Sequence, residues 1–243
     1  MKIQLLSDVH LEFYNDGTTI HNWLLKADML VLAGDIHVGT KNVTKVLRDA
    51  ADEYENVIFV PGNHEYYDKK TEIGEFRSLD VPNNVHCLDN STVLINGIAF
   101  IGATLWSDLG RDVSPEQHQR TIARVHTWPD FYRIKDNSIE KHLERYDFSK
   151  QYIENTIKDW PKHVVITHFM PHPKCTHPRY QMDSYTRDAN WYFTASSIEP
   201  KCPWMFGHTH DKYFSDNLYC SPVGYPNENP GYVPSVIELP SMQ

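Results

Sequence analysis

The sequence VIFVPGNHE, residues 57–65, is an apolar run that stops on a polar cluster. Val57–Val60 has the length and composition of a buried strand, and Pro61-Gly62 stops it. Asn63 and His64 follow at the strand end, where burial without partners is costly. The same design stands twice upstream: Lys2–Ser7 runs into Asp8-Val9-His10, and Met29–Ala33 (MLVLA) into Gly34-Asp35. It stands twice downstream: His163–Thr167 (HVVIT) runs into His168, and Pro203–Phe206 into Gly207-His208-Thr209-His210. Between the second and third runs, Val43, Val46, Leu47 and Ala50 recur at helical spacing and predict a helix over 41–53. Apolar strands alternating with helices predict an α/β sheet covered on both faces. Ligand sites in such sheets lie beyond the carboxyl ends of the strands, where all five motifs fall.

The rest of the chain is less regular. Strands are expected at Val85–Leu88, Thr92–Ile95 and Ile98–Ile101, the last two joined by the hairpin signal Asn96-Gly97. Residues 105–160 are strand-poor. Ile139, Leu143, Tyr146, Ile153, Ile157 and Trp160 predict a helix over about 138–160, with Asn137 or Ser138 as its cap and a break near Asp147-Phe148-Ser149. Short strands are expected near 211–215, 218–221 and 234–239. Repeats and linkers are lacking, so residues 1–243 read as one domain with insertions at about 105–160 and 171–200.

Bulk properties narrow the partners. A formal charge of −9 argues against non-specific binding to nucleic acid. No apolar run reaches membrane-spanning length, and the N-terminus lacks the pattern of a secretory signal. Four cysteines without a CxxC pair read as reduced thiols of a cytoplasmic protein. The composition leaves the oligomeric state open.

Taken singly, each motif has an ordinary reading: polar residues after a strand, a turn at Gly34-Asp35, a satisfied core histidine at His168. Only His208 and His210, two apart on an extended chain and so on one side, carry a metal signal by themselves. Together they deliver oxygen and imidazole donors, and no thiolate, to one sheet edge. That donor set suits divalent Mn, Fe, Ni, Zn or Mg. Seven donors are too many for one ion and fit two ions sharing a bridging carboxylate, an arrangement suited to in-line displacement at phosphorus.

The series D-x-H, G-D, G-N-H-E, H and G-H-x-H, in this order along the chain, resembles the calcineurin-like metallophosphoesterase superfamily. The resemblance implies a two-sheet αββα sandwich with the metals between strand ends. It implies that Asp8, His10 and His210 hold one ion, that Asn63, His168 and His208 hold the other, and that Asp35 bridges them. His64 would face the leaving-group oxygen. The implied reaction is hydrolysis of a phosphate ester by a hydroxide bridging the ions, with His64 giving the proton and no covalent phosphoenzyme. The implied cofactor is a pair of divalent ions, Mn²⁺ first among them. A closer resemblance, to a bacterial and phage-type subgroup, rests on Thr104–Asp108 (TLWSD), Asp130–Ile134 (DFYRI) and Gly224–Glu228 (GYPNE).

Departures from the pattern also matter. Protein phosphatases of this superfamily carry Asp and Arg where this chain has Val38 and Gly39, which argues against a phosphoprotein substrate and leaves His64 without an identified partner. A second histidine often follows the fourth motif; here Phe169 stands there, and His172 is a candidate substitute. The insertions are rich in aromatic and basic residues. Asn63, His64, Trp106, Arg133, His172 and Arg179 are therefore the expected substrate contacts, with Arg133 or Arg179 as the phosphate-binding cation. Stacking by such aromatics favours a small nucleotide-like ester, diester or monoester. A metal-dependent protein phosphatase, a nuclease and a non-catalytic scaffold of the same fold are the competing readings.

Overall fold

The computed structural model describes residues 1–239. Its strands are β1 (Lys2–Leu6), β2 (Met29–Ala33), β3 (Asn56–Val60), β4 (Val85–Cys87), β5 (Ser91–Ile95), β6 (Ile98–Ala103), β7 (His163–Thr167), β8 (Trp204–Phe206), β9 (Tyr213–Ser215), β10 (Leu218–Cys220) and β11 (Ser235–Glu238). Its α-helices are α1 (Thr40–Ala51), α2 (Pro115–Val125), α3 (Asp130–Arg133), α4 (Ile139–Asp159) and α5 (Ser184–Ala189).

The strands form two sheets, not the single sheet inferred from the strand runs. One has the order β11-β1-β2-β3-β4 and the other β5-β6-β7-β8-β10-β9. β1 to β4 pair in parallel, as do β6, β7 and β8. The sheets pack face to face. Alternate residues Ile3, Leu5, Met29, Val31, Ile58 and Val60 of the first meet Phe100, Val164, Ile166 and Met205 of the second. The intervening residues, Leu30, Leu32, Val57 and Phe59 among them, pack outward in the core that includes Val43, Val46 and Leu47 of α1. Both faces of each central strand are thus buried, one under a helix and one under the opposing sheet. A continuous apolar run records that burial and not what covers it. This is the αββα arrangement. Gly102 lies where the sheets approach closely: a Cβ there would collide with Leu88 and come within 3.0 Å of Val60.

Local chemistry explains the element ends. Asn96 and Gly97 both adopt positive φ, as a two-residue hairpin between β5 and β6 requires. Ser114 caps α2 through Oγ, which accepts from the Gln117 N–H at 3.1 Å with Pro115 following. Ser138 caps α4 in the same way, accepting from Lys141 N–H at 3.2 Å. α4 runs unbroken through Asp147-Phe148-Ser149, because Ser149 is buried and Phe148 faces outward, which keeps the helical pattern intact. Among the described residues, no helix is long and apolar enough to cross a membrane.

Candidate metal centre

Each sheet sends its parallel strands toward the same edge, and the chain turns sharply there. Asp8, His10, Asp35, His208 and His210 all hold left-handed backbone, with φ between 51° and 67°. Such positions cost about 1–3 kcal/mol each and persist only where the surroundings impose them. The surroundings here are a woven set of hydrogen bonds. Asp8 N–H donates to Gly34 O at 3.0 Å, His10 N–H to Asp35 O at 2.9 Å, and Gly207 N–H to His168 O at 2.9 Å. Glu65, fully buried, accepts from the backbone N–H groups of Gly62, Asp35 and Ile36 at 2.6, 2.9 and 2.7 Å. Gly62 is required by close approach, since a Cβ there would strike the Asp35 carboxylate.

These turns bring together Asp8, His10, Asp35, Asn63, His168, His208 and His210, with His64 beside them. His10 Nε2 and His210 Nε2 are 3.1 Å apart, and His210 Nε2 is 3.5 Å from an Asp8 oxygen. His168 Nε2 lies 3.1 Å from Asn63 Oδ1, 3.1 Å from His208 Nδ1 and 3.3 Å from an Asp35 oxygen. Asp35 also approaches His10 Nε2 at 3.8 Å, so it stands between the two groups.

The far side of each ring fixes which atom points inward. His10 Nδ1–H donates to Glu12 at 3.2 Å, His210 Nδ1–H to Glu228 at 2.6 Å, and His168 Nδ1–H to Ala33 O at 2.9 Å. The Asn63 amide donates to Asp130 at 2.8 Å and to Tyr67 at 3.0 Å, which turns Oδ1 inward. With Nδ1–H turned outward, the inward nitrogens of His10, His168 and His210 and the Asn63 oxygen offer lone pairs. Facing each other across 3.1 Å they repel, unless cations lie between them. Atoms bound at about 2.1 Å to one ion stand roughly 3.0–3.4 Å apart, as these do. The donor set fits a pair of divalent ions sharing Asp35. Burial lowers the His168 pKa, and the Asp35 carboxylate outweighs it and holds the group up at about 10, so the cage favours positive charge at this position.

His64 lies just outside the two groups. Its backbone N–H donates to Asp35 Oδ1 at 2.9 Å, and its Nδ1–H donates to Glu12 at 2.9 Å. Nε2 is left facing a cavity of about 270 Å³, with Tyr225 OH at 3.4 Å. Glu12 is thus the partner of His64, and it braces His10 as well. Burial raises the Glu12 pKa, and the two imidazoles outweigh it, bringing the carboxyl down to about 2.

Of the expected substrate contacts, Asn63 and His64 line the cavity. Trp106 does not: it is buried in the core against Tyr66 and Phe169, where a substrate cannot reach it. His172 caps a short 3₁₀ turn by accepting from Lys174 N–H, and its other nitrogen faces Glu199 at 3.4 Å. Arg179 is engaged by Asp211 at 2.8 Å, and Arg133 lies over the Tyr67 ring at 4.8 Å. No Lys or Arg lines the cavity among the described residues; beyond the donors and His64 its wall is Tyr67, Trp128, Pro129, Tyr192, Phe193, Thr209, Tyr225 and Glu228.

Glu12, Glu65, Asp130, Tyr225 and Glu228 were not singled out as site residues from sequence, although a signal existed for each. Glu12 extends D-x-H by one more alternate position, and Glu65 completes G-N-H-E. Asp130 opens DFYRI, and Tyr225 and Glu228 belong to GYPNE, so two of the subgroup motifs turn out to brace the donors.

Comparison with known proteins agrees with this geometry. The protein is 26% identical to "Uncharacterized protein L509" of Acanthamoeba polyphaga mimivirus over 279 residues, covering 96% of this chain and 94% of that one. Its fold is that of the phosphopantetheinyl hydrolase PptH from Mycobacterium tuberculosis, with a TM-score of 0.69 at 16% identity over 100% of this chain and 97% of that one. A dimetal phosphatase from Danio rerio aligns at a TM-score of 0.42 and 13% identity over 92% and 87% of the two chains. The calcineurin-like phosphoesterase profile matches residues 1–212, a span that contains all five donor motifs. With that span, that sandwich and that convergence of donors, the chain belongs to the calcineurin-like phosphoesterase family.

Proposed function

We propose that this protein hydrolyses small phosphate esters with two divalent ions, Mn²⁺ foremost, held by Asp8, His10 and His210 at one end, Asn63, His168 and His208 at the other, and Asp35 between. The observation that carries this reading is the convergence of nitrogen and oxygen donor atoms at 3.1–3.5 Å on either side of Asp35, with His64 beside them. When bound, such ions supply a water acidic enough to attack near neutral pH and positive charge for the phosphoryl oxygens.

The chain's own groups do the rest. His64 Nε2 faces the cavity, while Nδ1–H is held by Glu12 and the backbone is held by Asp35. His64 therefore delivers a proton to the departing oxygen from a fixed position, and Glu12 stabilises the charged imidazole that carries it. The Glu12 carboxylate takes the place of the Asp that this chain lacks at Val38. With Glu228 in the cavity lining and no Lys or Arg there among the described residues, the cavity disfavours a second phosphate on the substrate. A small ester with an uncharged body fits better than a phosphoprotein or a nucleic acid. Cytoplasmic action agrees with the thiol content.

The test is a panel of bis-p-nitrophenyl phosphate, p-nitrophenyl phosphate, cyclic nucleotides and a phosphopeptide, each with Mn²⁺, Ni²⁺ and Mg²⁺. Turnover of the small esters that disappears on chelation and returns with metal is expected. Silence toward every ester with every metal sinks the proposal.

A further inference from the structure

The cavity has aromatic walls at both ends of the donor cage. At one end Tyr225 sits 4.4 Å from His10 and 4.8 Å from His210, ring centroid to centroid. Phe13 stacks edge-on against it at 5.1 Å and is 46% exposed. His64 shares this end, 4.4 Å from His10. At the other end Phe193 lies 4.9 Å from His208, and Trp128 lies 5.8 Å from Phe193. Trp128, Phe193 and Tyr225 all line the one cavity.

A phosphoryl group centred on the cage would place its leaving oxygen toward His64 and therefore toward Phe13 and Tyr225. A monoester has nothing to place against the far wall. A diester has its second substituent there. The charge balance points the same way: the cavity lining includes Asp35 and Glu228 and, among the described residues, no Lys or Arg, so beside the two ions only the His64 imidazole is placed to meet the phosphate charge. A diester carries one negative charge there where a monoester carries up to two.

Resting on the hydrolytic reading above, we propose that the substrate is a phosphodiester with a planar, uncharged group on each ester oxygen. The group on the leaving oxygen is received by Phe13 and Tyr225, and the retained group by Trp128 and Phe193. Water adds its oxygen to phosphorus, the bond to the leaving oxygen breaks, and that oxygen takes a proton from His64. The retained group departs as a monoester.

The test uses p-nitrophenyl phenyl phosphate, methyl p-nitrophenyl phosphate and p-nitrophenyl phosphate with the Mn²⁺-loaded enzyme. The two diesters share leaving group and charge and differ only in the retained group. Stacking of one ring predicts a phenyl-to-methyl ratio in kcat/KM of about 5- to 100-fold. Trp128→Ala is expected to bring that ratio toward one, and Phe193→Leu to lower it partly. Phe13→Ala is expected to slow both diesters in proportion and keep the ratio. Calorimetry on metal-loaded His64→Ala protein should show diphenyl phosphate binding more tightly than methyl phenyl phosphate by a similar factor. A wild-type ratio within twofold of one, or a monoester kcat/KM above that of both diesters, overturns the diester assignment and leaves hydrolysis standing. Silence toward all three esters with Mn²⁺, Ni²⁺ and Mg²⁺ overturns both.

Discussion

The two ends of the donor cage are braced by different chemistry. At the end of Asp8, His10 and His210, carboxylates stand behind the histidines: Glu12 at 3.2 Å from His10 and Glu228 at 2.6 Å from His210. At the end of Asn63, His168 and His208, the brace behind His168 is the neutral Ala33 carbonyl, and Asp130 reaches that end only through the Asn63 amide. The first end is also the more open, since Glu228 is partly exposed while His168 and Asp130 are fully buried. A carboxylate behind an imidazole strengthens it as a ligand, and an open edge lets the ion exchange. On the proposed two-ion reading, the first end would hold an ion that comes and goes near the leaving group, and the second one that stays.

That contrast breaks first at Asp35, which belongs to both ends. Asp35→Asn is expected to reduce activity to background and to release both ions, as read by elemental analysis of the purified protein. Retention of a full pair with the carboxylate gone would show that the ends are independent.

His64 is the next largest. Being on the first end but outside both donor groups, His64→Ala should lower kcat for a poor leaving group by about 10²- to 10⁴-fold, with metal content unchanged. An activated leaving group such as p-nitrophenolate should lose far less. Equal losses for both leaving groups would remove the proton-transfer role.

Glu12→Gln and Glu228→Gln should each weaken ion binding at the first end by about 10- to 100-fold, and Asp130→Asn should do so at the second end only. Metal titrations of the three proteins separate them: the first two lose the weaker-binding ion and Asp130→Asn loses the tighter one. Glu12→Gln should also slow poor leaving groups, through His64. Identical titration curves for Glu228→Gln and Asp130→Asn would erase the difference between the ends.

The smallest effect on chemistry is expected from Gly102→Ala, in the sheet interface. Overpacking against Leu88 should cost about 1–3 kcal/mol of stability by denaturant unfolding, with metal stoichiometry unchanged.

The sequence exposed the cage well because each donor lies within a few residues of a short apolar strand, so local chain order already places it at a sheet edge. The strand pattern alone could not show the division into two sheets, which only the motif resemblance implied, because Val31 against the other sheet and Leu32 on the helix side are equally apolar. The braces were hidden for a different reason. Asp130 is 67 residues from the Asn63 it orients, and nothing local marks that contact. Trp106, Arg133, His172 and Arg179 have the composition of a binding surface, yet Trp106 is packed in the core, Arg179 pairs with Asp211, His172 faces Glu199, and Arg133 lies over the Tyr67 ring outside the cavity lining. Composition records a residue's capacity, while only the fold decides whether a substrate can reach it.

The most direct measurement is titration of chelator-treated protein with Mn²⁺, following binding by calorimetry and hydrolysis of bis-p-nitrophenyl phosphate in parallel. Two ions per chain are expected, the first bound tightly without activity and the second weaker and bringing activity with it. Full activity with one ion bound, or with none, would contradict the account.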